Sequence, residues 1–330
     1  MAKYAVLGSN AFSGQDFVDL LLDDPAAQVL GISRGEEKPD LFLRYKERLD
    51  LNRFSFHRFD LNEDNQALLS FLDAERPEYI INFAAQSEVG PSWEFPEHWF
   101  ETNCVALAKL VNHLRKQSYL KRYLHVSSPE AYGSCVGVVT EAAPLNPSTP
   151  YAASKAAADY LLGCYAKTYG FPLVTVRATN VYGARQQLFK IMMRSVINIR
   201  KGRIIQLHGG GAAVKSYIHI RDVSRGELAI LTKGRLGEIY HLSPDSGVAV
   251  RDVVRLIAEV MGKRFEEVTE TVSDRPGQDA AYVIDSTKAR TELGWAPEIG
   301  LRQGLGEVID WIDAHWATIR DLPGDYIHRA

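Results

Sequence analysis

The chain has 330 residues, of which 46% are hydrophobic and 24% charged, a composition typical of a globular protein. A formal net charge of -3 at pH 7 gives no positive excess for nucleic acid, so no nucleic-acid partner is expected. Three scattered cysteines are too few for a disulfide framework or a zinc site, and no metal is expected. The short apolar run after Met1 does not have the length of a signal peptide, and no apolar stretch is long enough for a transmembrane helix. These features predict a cytoplasmic protein without a membrane partner.

Short apolar runs alternate with amphipathic stretches through the first half of the chain. The apolar runs predict strands at residues 4–8, 28–33, 53–59, 79–83, 122–127 and 173–177. The amphipathic stretches predict helices at residues 12–22, 65–75, 96–116 and 151–169. Strands that alternate with helices and have apolar residues on both faces indicate a doubly wound parallel sheet, that is, an α/β fold.

The second half of the chain has a different character. Residues 182–215 form a basic stretch that we expect to be rich in loops, residues 250–261 predict a helix, and residues 274–295 lack regular alternation. These pieces predict a smaller C-terminal lobe over the carboxyl ends of the strands. Because ligands of open α/β sheets bind at those ends, this lobe is expected to bind the substrate.

A glycine-containing turn joins the first predicted strand to the first predicted helix. Gly8 permits the tight turn, Gly14 permits close contact between helix and strand, and the helix N-terminus offers N–H groups to a pyrophosphate. Ala11 stands where the usual pattern has its middle glycine, and glycine turns also join purely structural elements. The position of the turn nevertheless predicts a Rossmann-type dinucleotide site. Its predicted cofactor-binding residues also include Asn10, Phe12, Leu61, Phe83, Ala84 and Ala85.

Two further positions bear on the identity of the dinucleotide. Asp60 follows the third predicted strand, where a carboxylate can meet the adenine amino group, and it can also cap the next helix. Arg34 lies at the end of the second strand, where an acidic residue would bind the ribose hydroxyls of NAD. A guanidinium there suits a 2′-phosphate, whereas the alternative is a solvated surface arginine. The predicted cofactor is therefore NADP or NAD, with a lean toward NADP.

The predicted division of the chain into domains follows from these two halves. A dinucleotide-binding Rossmann domain takes residues 1–178 with roughly 217–246, and the substrate-binding lobe takes residues 179–216 and 247–330.

Tyr151 and Lys155 lie one turn apart on one face of a predicted helix. The spacing alone is not specific, because 15 tyrosines make a chance match frequent. Its context is more informative, since a strand ending near Ser128 precedes it and a proline-rich loop leads into the helix. A hydroxyl, a phenol and an ammonium can therefore converge beside a nicotinamide, with Tyr151 and Lys155 also belonging to the predicted cofactor-binding set.

This grouping has a chemical purpose. A phenol ionises near pH 10, so a tyrosine that accepts a proton at pH 7 needs a pKa lowered by ~3 units, or ~4 kcal/mol. The Lys155 ammonium and the positive ring of the cofactor are the expected source of that lowering. Ser128 can hydrogen-bond and orient the same substrate oxygen, while the hydride transfer itself belongs to the cofactor.

Several segments resemble a known enzyme family. Residues 31–34 (Gly-Ile-Ser-Arg) and 82–89 (Asn-Phe-Ala-Ala-Gln-Ser-Glu-Val) are similar to GDP-mannose 4,6-dehydratases. Residues 180–183 with Lys190, and the tail segments 274–279, 284–285 and 292–295, look like dTDP-glucose 4,6-dehydratases. Together with the Tyr/Lys pair and Ser128, these segments resemble the extended short-chain dehydrogenase/reductase superfamily, within the NAD-dependent epimerase/dehydratase family. The closest subgroup is the nucleotide-sugar 4,6-dehydratases.

The resemblance implies an NAD(P)-dependent dehydratase of a nucleotide-diphosphate sugar, GDP-mannose-like or a related hexose. Ser128 would orient the C4 hydroxyl, and Glu130 would act as the base at C5 once C4 is a ketone; water then leaves from C6 and the hydride returns there. Related families carry Asp or Ser where this chain has Pro129, which cannot donate a proton. Glu130 or water would then protonate the leaving hydroxyl. The alternative role of Glu130 is a solvated loop carboxylate.

The resemblance also implies a set of substrate-binding residues and an oligomer. A pyrophosphate needs several positive donors, although each cation taken singly can be a surface charge. The predicted dimer seam joins the helices at 96–116 and 151–169, giving a homodimer or homotetramer; the alternative is burial of these helices against the sheet. The predicted substrate-binding residues are Ser87, Asn180, Lys190, Arg194, Lys215 and Arg275.

Three functional hypotheses stay open on the sequence. The first is the 4,6-dehydratase. The second is another sugar enzyme on the same scaffold: an NDP-sugar 4-epimerase, a 4-keto-6-deoxysugar reductase or a uronate decarboxylase. Glu130 argues against a plain epimerase, which needs no base at C5. The third is a non-catalytic nucleotide-binding protein, against which the intact Tyr151, Lys155 and Ser128 argue.

Overall fold

The computed structural model describes residues 2–135, 137–273 and 281–329. In the first half of the chain, strands and helices alternate as predicted. The elements of this half are β1 (Ala2–Leu7), α1 (Phe12–Leu21), β2 (Ala27–Ser33), β3 (Phe54–Arg58), α2 (Asn65–Glu75), β4 (Tyr79–Asn82), α3 (Val89–Ser92), α4 (Pro96–Phe100), α5 (Leu107–Leu114), β5 (Arg122–Val126), α6 (Pro150–Tyr169) and β6 (Leu173–Ala178).

The second half contains shorter strands and further helices. In the described residues, none of the helices combines the length and the apolar character that spanning a bilayer requires. The elements of this half are β7 (Asn180–Tyr182), α7 (Ile191–Arg200), β8 (Ile205–His208), β9 (Val214–Lys215), β10 (Tyr217–His219), α8 (Ile220–Lys233), β11 (Ile239–Leu242), β12 (Val248–Ala249), α9 (Val250–Val260), α10 (Phe265–Val268), β13 (Thr269–Val272), β14 (Ala281–Tyr282), α11 (Thr287–Leu293), α12 (Leu301–Ala314) and α13 (Trp316–Ile319).

The central element of the fold is a parallel sheet. Among the described residues its strands follow the order β11-β6-β5-β4-β1-β2-β3, and every neighbouring pair is parallel. Leu7 at the end of β1 pairs with Ile32 of β2 on one side and with Asn82 of β4 on the other. The direction of winding reverses between β1 and β4, which is where doubly wound sheets bind their ligands. The predicted α/β fold of the Rossmann type is confirmed.

Hydrophobic residues bury both faces of this sheet. Ala5 and Val6 are neighbours in β1, and both are completely buried, yet they belong to different hydrophobic clusters. Successive side chains of a strand point to opposite faces, so the two clusters lie on opposite sides of the sheet. This double burial explains why the strand sequences read as continuous apolar runs rather than as alternating patterns.

The predicted helix at 96–116 has an interruption that the sequence pattern does not reveal. The helical path continues, but residues 101–106 adopt a π-helical conformation between α4 and α5. Asn103 lies in this stretch, accepts a hydrogen bond from the Gln86 N–H at 2.9 Å and donates to Ser154 Oγ at 2.9 Å. The irregular turn therefore aligns one buried amide with two other segments, a common use of such bulges.

The expectation of a loop-rich stretch at 182–215 was wrong in part. This stretch contains α7, β8 and β9, and α7 packs against α9 and α12. Met192, Met193 and Val196 are buried in the hydrophobic cluster of the second lobe, while Arg194 and, at the end of the helix, Arg200 are exposed. The interspersed arginines made the segment read as basic and irregular, although its apolar residues follow a helical period.

The second lobe surrounds its own hydrophobic cluster, which draws on α7, α9 and α12. β11 returns to the main sheet beside β6, and α11 packs against β11 and α8. The exact division of the chain into two domains stays a prediction.

The close approach of helix and strand at the first turn gives a test of the fold. A Cβ atom at residue 14 would lie 2.2 Å from the carbonyl oxygen of Gly8, so Gly14→Ala forces the turn apart. We expect this change to destabilise the protein by about 1–3 kcal/mol, measured by urea denaturation. Gly306→Ala is the matched control: no neighbouring atom lies within 4 Å of its Cβ position in α12, and it should stabilise by up to about 1 kcal/mol. Equal effects of the two changes would contradict this account of the turn.

Candidate active site

A cavity of about 640 Å³ opens at the carboxyl ends of β1, β2 and β4. We call it the cofactor cavity. Gly8 begins the turn at its base with a φ of +84°, and a Cβ atom there would lie 2.7 Å from the backbone nitrogen of Ala84. Only glycine fits this position, because the two backbone segments approach each other directly. The lining residues that the sequence predicted for the cofactor are Gly8, Asn10, Ala11, Arg34, Asp60, Leu61, Phe83, Ala84 and Ala85.

Four of the predicted cofactor residues do not line this cavity: Tyr151 and Lys155, described below, and Phe12 and Gly14. Phe12 is buried in the first turn of α1, and Gly14 packs against the carbonyl of Gly8 behind the turn. Both support the shape of the turn from behind. Asp60 lines the cavity, but it does not cap α2: its Oδ1 accepts the backbone N–H of Asn62 at 2.7 Å and so closes the turn after β3.

A second cavity of about 510 Å³ lies between the sheet ends and the second lobe. We call it the substrate cavity. Glu130 lines it, and so do the predicted substrate-binding residues that the structure describes. The remaining one, Arg275, lies outside the described residues. The predicted residues along this cavity are Ser87, Asn180, Lys190, Arg194 and Lys215.

One loop separates the two cavities. It follows β4, and its residues from Phe83 to Gln86 line the cofactor cavity, whereas Ser87 and Glu88 line the substrate cavity. Asn103 holds this loop against the start of α6, because its amide bonds both the backbone of Gln86 and the hydroxyl of Ser154. A ligand in the cofactor cavity and a ligand in the substrate cavity would therefore approach each other at this loop, beside α6.

Tyr151, Lys155 and Ser128 come together at the start of α6 near this loop, although none of the three lines either cavity. All three are buried, and the phenol of Tyr151 is hydrogen-bonded to Ser128. Ser128 Oγ also accepts the backbone N–H of Glu130 at 3.2 Å, which leaves its own hydrogen to donate. Lys155 Nζ donates to the carbonyl oxygen of Val126 at 2.8 Å. α6 begins at the right place because Thr149 caps it and Pro150 occupies its first turn.

The pKa of Tyr151 departs from the expected direction. Burial raises it above its ordinary value, the carboxylates of Glu130 and Glu88 raise it further, and the hydrogen bond from Ser128 lowers it. The protein groups around the phenol therefore favour its protonated form. The expectation that Lys155 lowers this pKa is not met by the chain alone: the main influences are burial, the carboxylates of Glu130, Glu88 and Asp159, and the Ser128 hydrogen bond.

Lys155 is itself perturbed. Burial lowers the pKa of its ammonium to about 8, and the carboxylate of Asp159, one turn further along α6, opposes that shift. Asp159 is in turn held by Arg177 at 2.6 Å and by the Ser127 hydroxyl at 2.7 Å. The charge of Lys155 is thus balanced by a fixed buried carboxylate rather than by solvent.

The structure shows one ion pair in the substrate cavity that the sequence did not reveal. Lys190 Nζ lies 2.8 Å from one carboxylate oxygen of Glu88 and 3.1 Å from the other. Sequence analysis treated Lys190 only as a ligand of the diphosphate. The two residues are far apart in the chain, and no local pattern signals their contact.

Other lining residues were also missed because they come from distant segments. Phe189 and Tyr217 line the substrate cavity, and Ile327 and Arg329 line the cofactor cavity. The carbonyl of Arg329 accepts hydrogen bonds from Gln86 at 2.7 Å and from Arg34 at 3.3 Å, so the last described residues cross the cofactor cavity. The aromatic residues near both cavities carry no spacing signal of their own.

Comparison with known proteins adds the family. The family model for GDP-mannose 4,6 dehydratase matches residues 6–308. The dTDP-glucose 4,6-dehydratase of Xanthomonas campestris pv. campestris is 31% identical over 354 residues, covering 99% of this chain and 97% of that protein. The chain belongs to the GDP-mannose 4,6-dehydratase family. This membership confirms the predicted subgroup, the nucleotide-sugar 4,6-dehydratases. It also confirms the predicted reaction, the dehydration of a nucleotide-diphosphate sugar.

Solved structures agree with this 4,6-dehydratase assignment. The dTDP-glucose 4,6-dehydratase of Streptomyces venezuelae, solved with NAD bound, has a TM-score of 0.86 at 30% identity and covers 96% of this chain and 98% of that one. The dTDP-glucose 4,6-dehydratase of Bacillus anthracis, in complex with NAD, has a TM-score of 0.86 at 27% identity and covers 95% and 97%.

The buried ammonium gives a stability prediction with a defined pH dependence. The folded pKa of Lys155 is about 8, below the unfolded value of about 10.4, so the unfolded chain binds more protons between these two values. Stability should therefore rise with pH through that window. We expect Lys155→Met to stabilise the cofactor-free protein at pH 7 by up to about 3 kcal/mol, and this gain to shrink toward pH 10.

Urea denaturation at several pH values measures this effect. Lys167→Met, at an exposed lysine of the same helix, is the control and should show no comparable gain. A gain for Lys155→Met that stays constant from pH 7 to pH 10 would contradict the burial of a charged ammonium.

Proposed function

We propose that this 4,6-dehydratase uses NAD(P) to remove water from a nucleotide-diphosphate hexose, GDP-mannose-like or related, with Tyr151, Lys155, Ser128 and Glu130 as its catalytic residues. The observation that carries the proposal is the hydrogen-bonded pair of Tyr151 and Ser128 near the loop between the two cavities, next to Glu130 in the substrate cavity. Oxidation at C4 needs a proton acceptor for the C4 hydroxyl, and the elimination that follows needs a second base for the C5 proton. Tyr151 and Glu130 match these two needs.

The residues of the cofactor cavity fit a dinucleotide. The glycine turn at Gly8 lets the backbone approach a pyrophosphate, and α1 begins directly behind it with its N–H groups directed at the cavity. The NAD in the two solved relatives supports an NAD(P)-type cofactor. Held by these residues, the cofactor would supply a hydride acceptor for C4 and a hydride donor for C6, and its positive ring would favour the phenolate of Tyr151.

The remaining chemistry belongs to the side chains of this chain. Ser128 donates its hydrogen to the C4 oxygen, and Tyr151 removes the proton from that oxygen as C4 is oxidised. The buried ammonium of Lys155 stabilises the negative charge on the phenol. The C4 ketone makes the C5 proton acidic, and Glu130 removes it. Elimination then forms the C5–C6 double bond and releases the C6 hydroxyl as water.

The cations of the substrate cavity suit the two phosphates of a nucleotide sugar. Lys190, Arg194 and Lys215 approach from α7 and β9, and Ser87 and Asn180 add uncharged donors. Phosphate recognition commonly combines such charged and neutral donors. We retain Arg275 as a further proposed ligand on the strength of the family resemblance alone.

The oligomer is a further part of the proposal. Large apolar side chains of the helices around the predicted seam are exposed, namely Phe100, Val105 and Tyr160. An exposed apolar face on two neighbouring helices supports a homodimer, or a homotetramer built from it. The proposed domains keep the predicted boundaries, with residues 1–178 and roughly 217–246 binding the cofactor.

A comparison of the affinities for NADP and NAD tests the proposed NADP preference. Arg34 and Lys38 line the same end of the cofactor cavity, and two cations there can hold a 2′-phosphate. We expect wild-type protein to bind NADP more tightly than NAD, and Arg34→Ala to weaken NADP roughly 10–100-fold with little effect on NAD, by isothermal titration calorimetry. Arg302→Ala, an exposed arginine of α12, is the control. Equal affinities of the wild type for both dinucleotides would refute the preference.

A mass measurement tests the reaction. Purified protein is incubated with GDP-mannose, dTDP-glucose, UDP-GlcNAc and CDP-glucose without added reductant. We expect one sugar to lose a single water, Tyr151→Phe to lose the activity, and Glu130→Gln to slow water loss by about 10²–10⁴-fold. Glu266→Gln, on the exposed α10, is the control.

The other outcomes separate the alternatives. A product of unchanged mass would identify epimerisation, and a requirement for added NADPH would identify reduction. Loss of carbon dioxide from a uronate would identify decarboxylation. No conversion of any sugar would favour a nucleotide-binding protein.

A further inference from the structure

Elimination across C5 and C6 needs a base for the C5 proton and an acid for the departing C6 hydroxyl. Glu130 supplies the base in the proposed function, on which the following inference rests. The position that carries Asp or Ser in related families is Pro129 here, and its ring bears no ionisable proton. Pro129 is also buried at the start of a short 3-10 turn, so it does not contact the substrate cavity through a polar group.

The described residues that line the substrate cavity include two carboxylates, Glu130 and Glu88. The other ionisable groups there are weaker donors for this step. Burial raises the pKa of Tyr217 to about 12. His208 Nδ1 donates to the carbonyl of Ser273 at 2.9 Å, so this nitrogen is already used in a hydrogen bond to the backbone. A neutral carboxylic acid is a far stronger proton donor than a phenol or an ammonium.

Glu88 lies on the side of the cavity where the chemistry takes place. Glu88 lines the same cavity as Glu130, and the carboxylates of both residues raise the pKa of Tyr151. Carbon C6, which carries the departing hydroxyl, is two bonds of the sugar skeleton away from C4, whose oxygen meets that phenol. A proton donor for C6 must therefore lie near Tyr151 on the cavity side. Asp159 also acts on Tyr151, but it is buried and bonded to Arg177 behind α6.

The backbone holds Glu88 in place relative to the active-site helix. Glu88 immediately precedes α3, and its side chain makes no capping bond to that helix. Ser92, at the other end of α3, accepts the backbone N–H of Tyr151 at 3.2 Å and donates to the carbonyl of Val89 at 2.6 Å. The first turn of α6 is thereby fixed to the segment that carries Glu88, and the carboxylate is left to reach into the cavity toward Lys190.

We propose that Glu88 is the proton donor for the C6 hydroxyl and that the diphosphate of the substrate activates it by drawing Lys190 away. Without substrate, Lys190 bonds both oxygens of Glu88. A diphosphate that binds Lys190 takes this counter-charge away and adds negative charge nearby. Both changes favour the protonated carboxyl, which then takes up a proton from solvent.

The resulting step balances. Glu130 takes the C5 proton, the electrons of the C5–H bond form the C5–C6 double bond, and the C6–O bond breaks as oxygen receives the proton of Glu88. Water leaves, and Glu88 becomes a carboxylate. Glu130 later returns its proton to C5 when the hydride reaches C6. The proton that Tyr151 took from the C4 oxygen and the proton that Glu88 lost are both exchanged with solvent, so the net reaction is loss of one water.

Glu88→Gln tests this assignment, with the sugar that the wild-type enzyme dehydrates and with its 6-deoxy-6-fluoro analogue. Fluoride is a much weaker base than hydroxide and leaves with less help from an acid. We expect Glu88→Gln to slow water loss by about 10²–10⁴-fold, and to slow fluoride loss by less than about tenfold. Exchange of the C5 proton in D2O should persist in Glu88→Gln, because Glu130 and Tyr151 are intact. Glu94→Gln, an exposed glutamate in the same segment, is the matched control.

Each outcome decides one question. Equal losses on the two substrates, unchanged water loss, or loss of C5 exchange in Glu88→Gln would overturn the role of Glu88. If Glu88→Gln fails to fold, judged by circular dichroism, Glu88→Asp replaces it and should keep most water loss because it keeps a carboxyl. A wild-type enzyme that releases no water from any sugar would instead refute the proposed function. A 10²-fold loss confined to the hydroxyl substrate supports the proposal.

Discussion

The site depends on the burial of one positive charge. Lys155 is only 3% exposed. Its ammonium can remain in the interior because it donates a hydrogen bond to the Val126 carbonyl and because the Asp159 carboxylate lies one turn further along α6. Asp159 is fixed by Arg177 from β6 and by Ser127 after β5. The carboxyl ends of two strands are thus tied to the helix that carries Tyr151. Removing Asp159 would leave the buried charges of Lys155 and Arg177 uncompensated, so the position of this carboxylate is strongly constrained.

Those parts of the fold and site that depend on neighbouring residues could be predicted from the sequence. The strand, turn and helix around Gly8 follow from local backbone requirements, and the described structure shows why a side chain at that position would meet Ala84. The same holds for Tyr151 and Lys155, whose spacing on a helix places them together. Lys190, Arg194 and Lys215 line the substrate cavity, and the family resemblance, which extends through the second lobe, is what pointed to them.

What could not be predicted depends on contacts between distant residues. The hydrogen bond from Gln86 to the carbonyl of Arg329 joins positions 243 residues apart, and no spacing announces it. The pairing of Lys190 with Glu88 is of the same kind. The pKa of Tyr151 was expected to fall because only the Lys155 ammonium and the positive ring of the cofactor were counted, whereas burial and the carboxylates of Glu130, Glu88 and Asp159 raise it. Electrostatics of a buried group follow from all its neighbours, and the sequence names only a few of them.

The pairing of Lys190 with Glu88 also bears on how the cavity receives a charged ligand. Three described cations, Lys190, Arg194 and Lys215, line a confined space, and their mutual repulsion would oppose a compact arrangement before a ligand binds. Glu88 offsets part of that charge while leaving Lys190 in the cavity, so the lysine stays in place rather than turning to solvent. A diphosphate carries more negative charge than one carboxylate and can bridge several cations at once, so it can displace Glu88 from Lys190 where a singly charged ligand cannot. If Lys190 binds the diphosphate as proposed, selectivity for a diphosphate over smaller anions follows from the same ion pair that keeps the ligand-free cavity close to neutral.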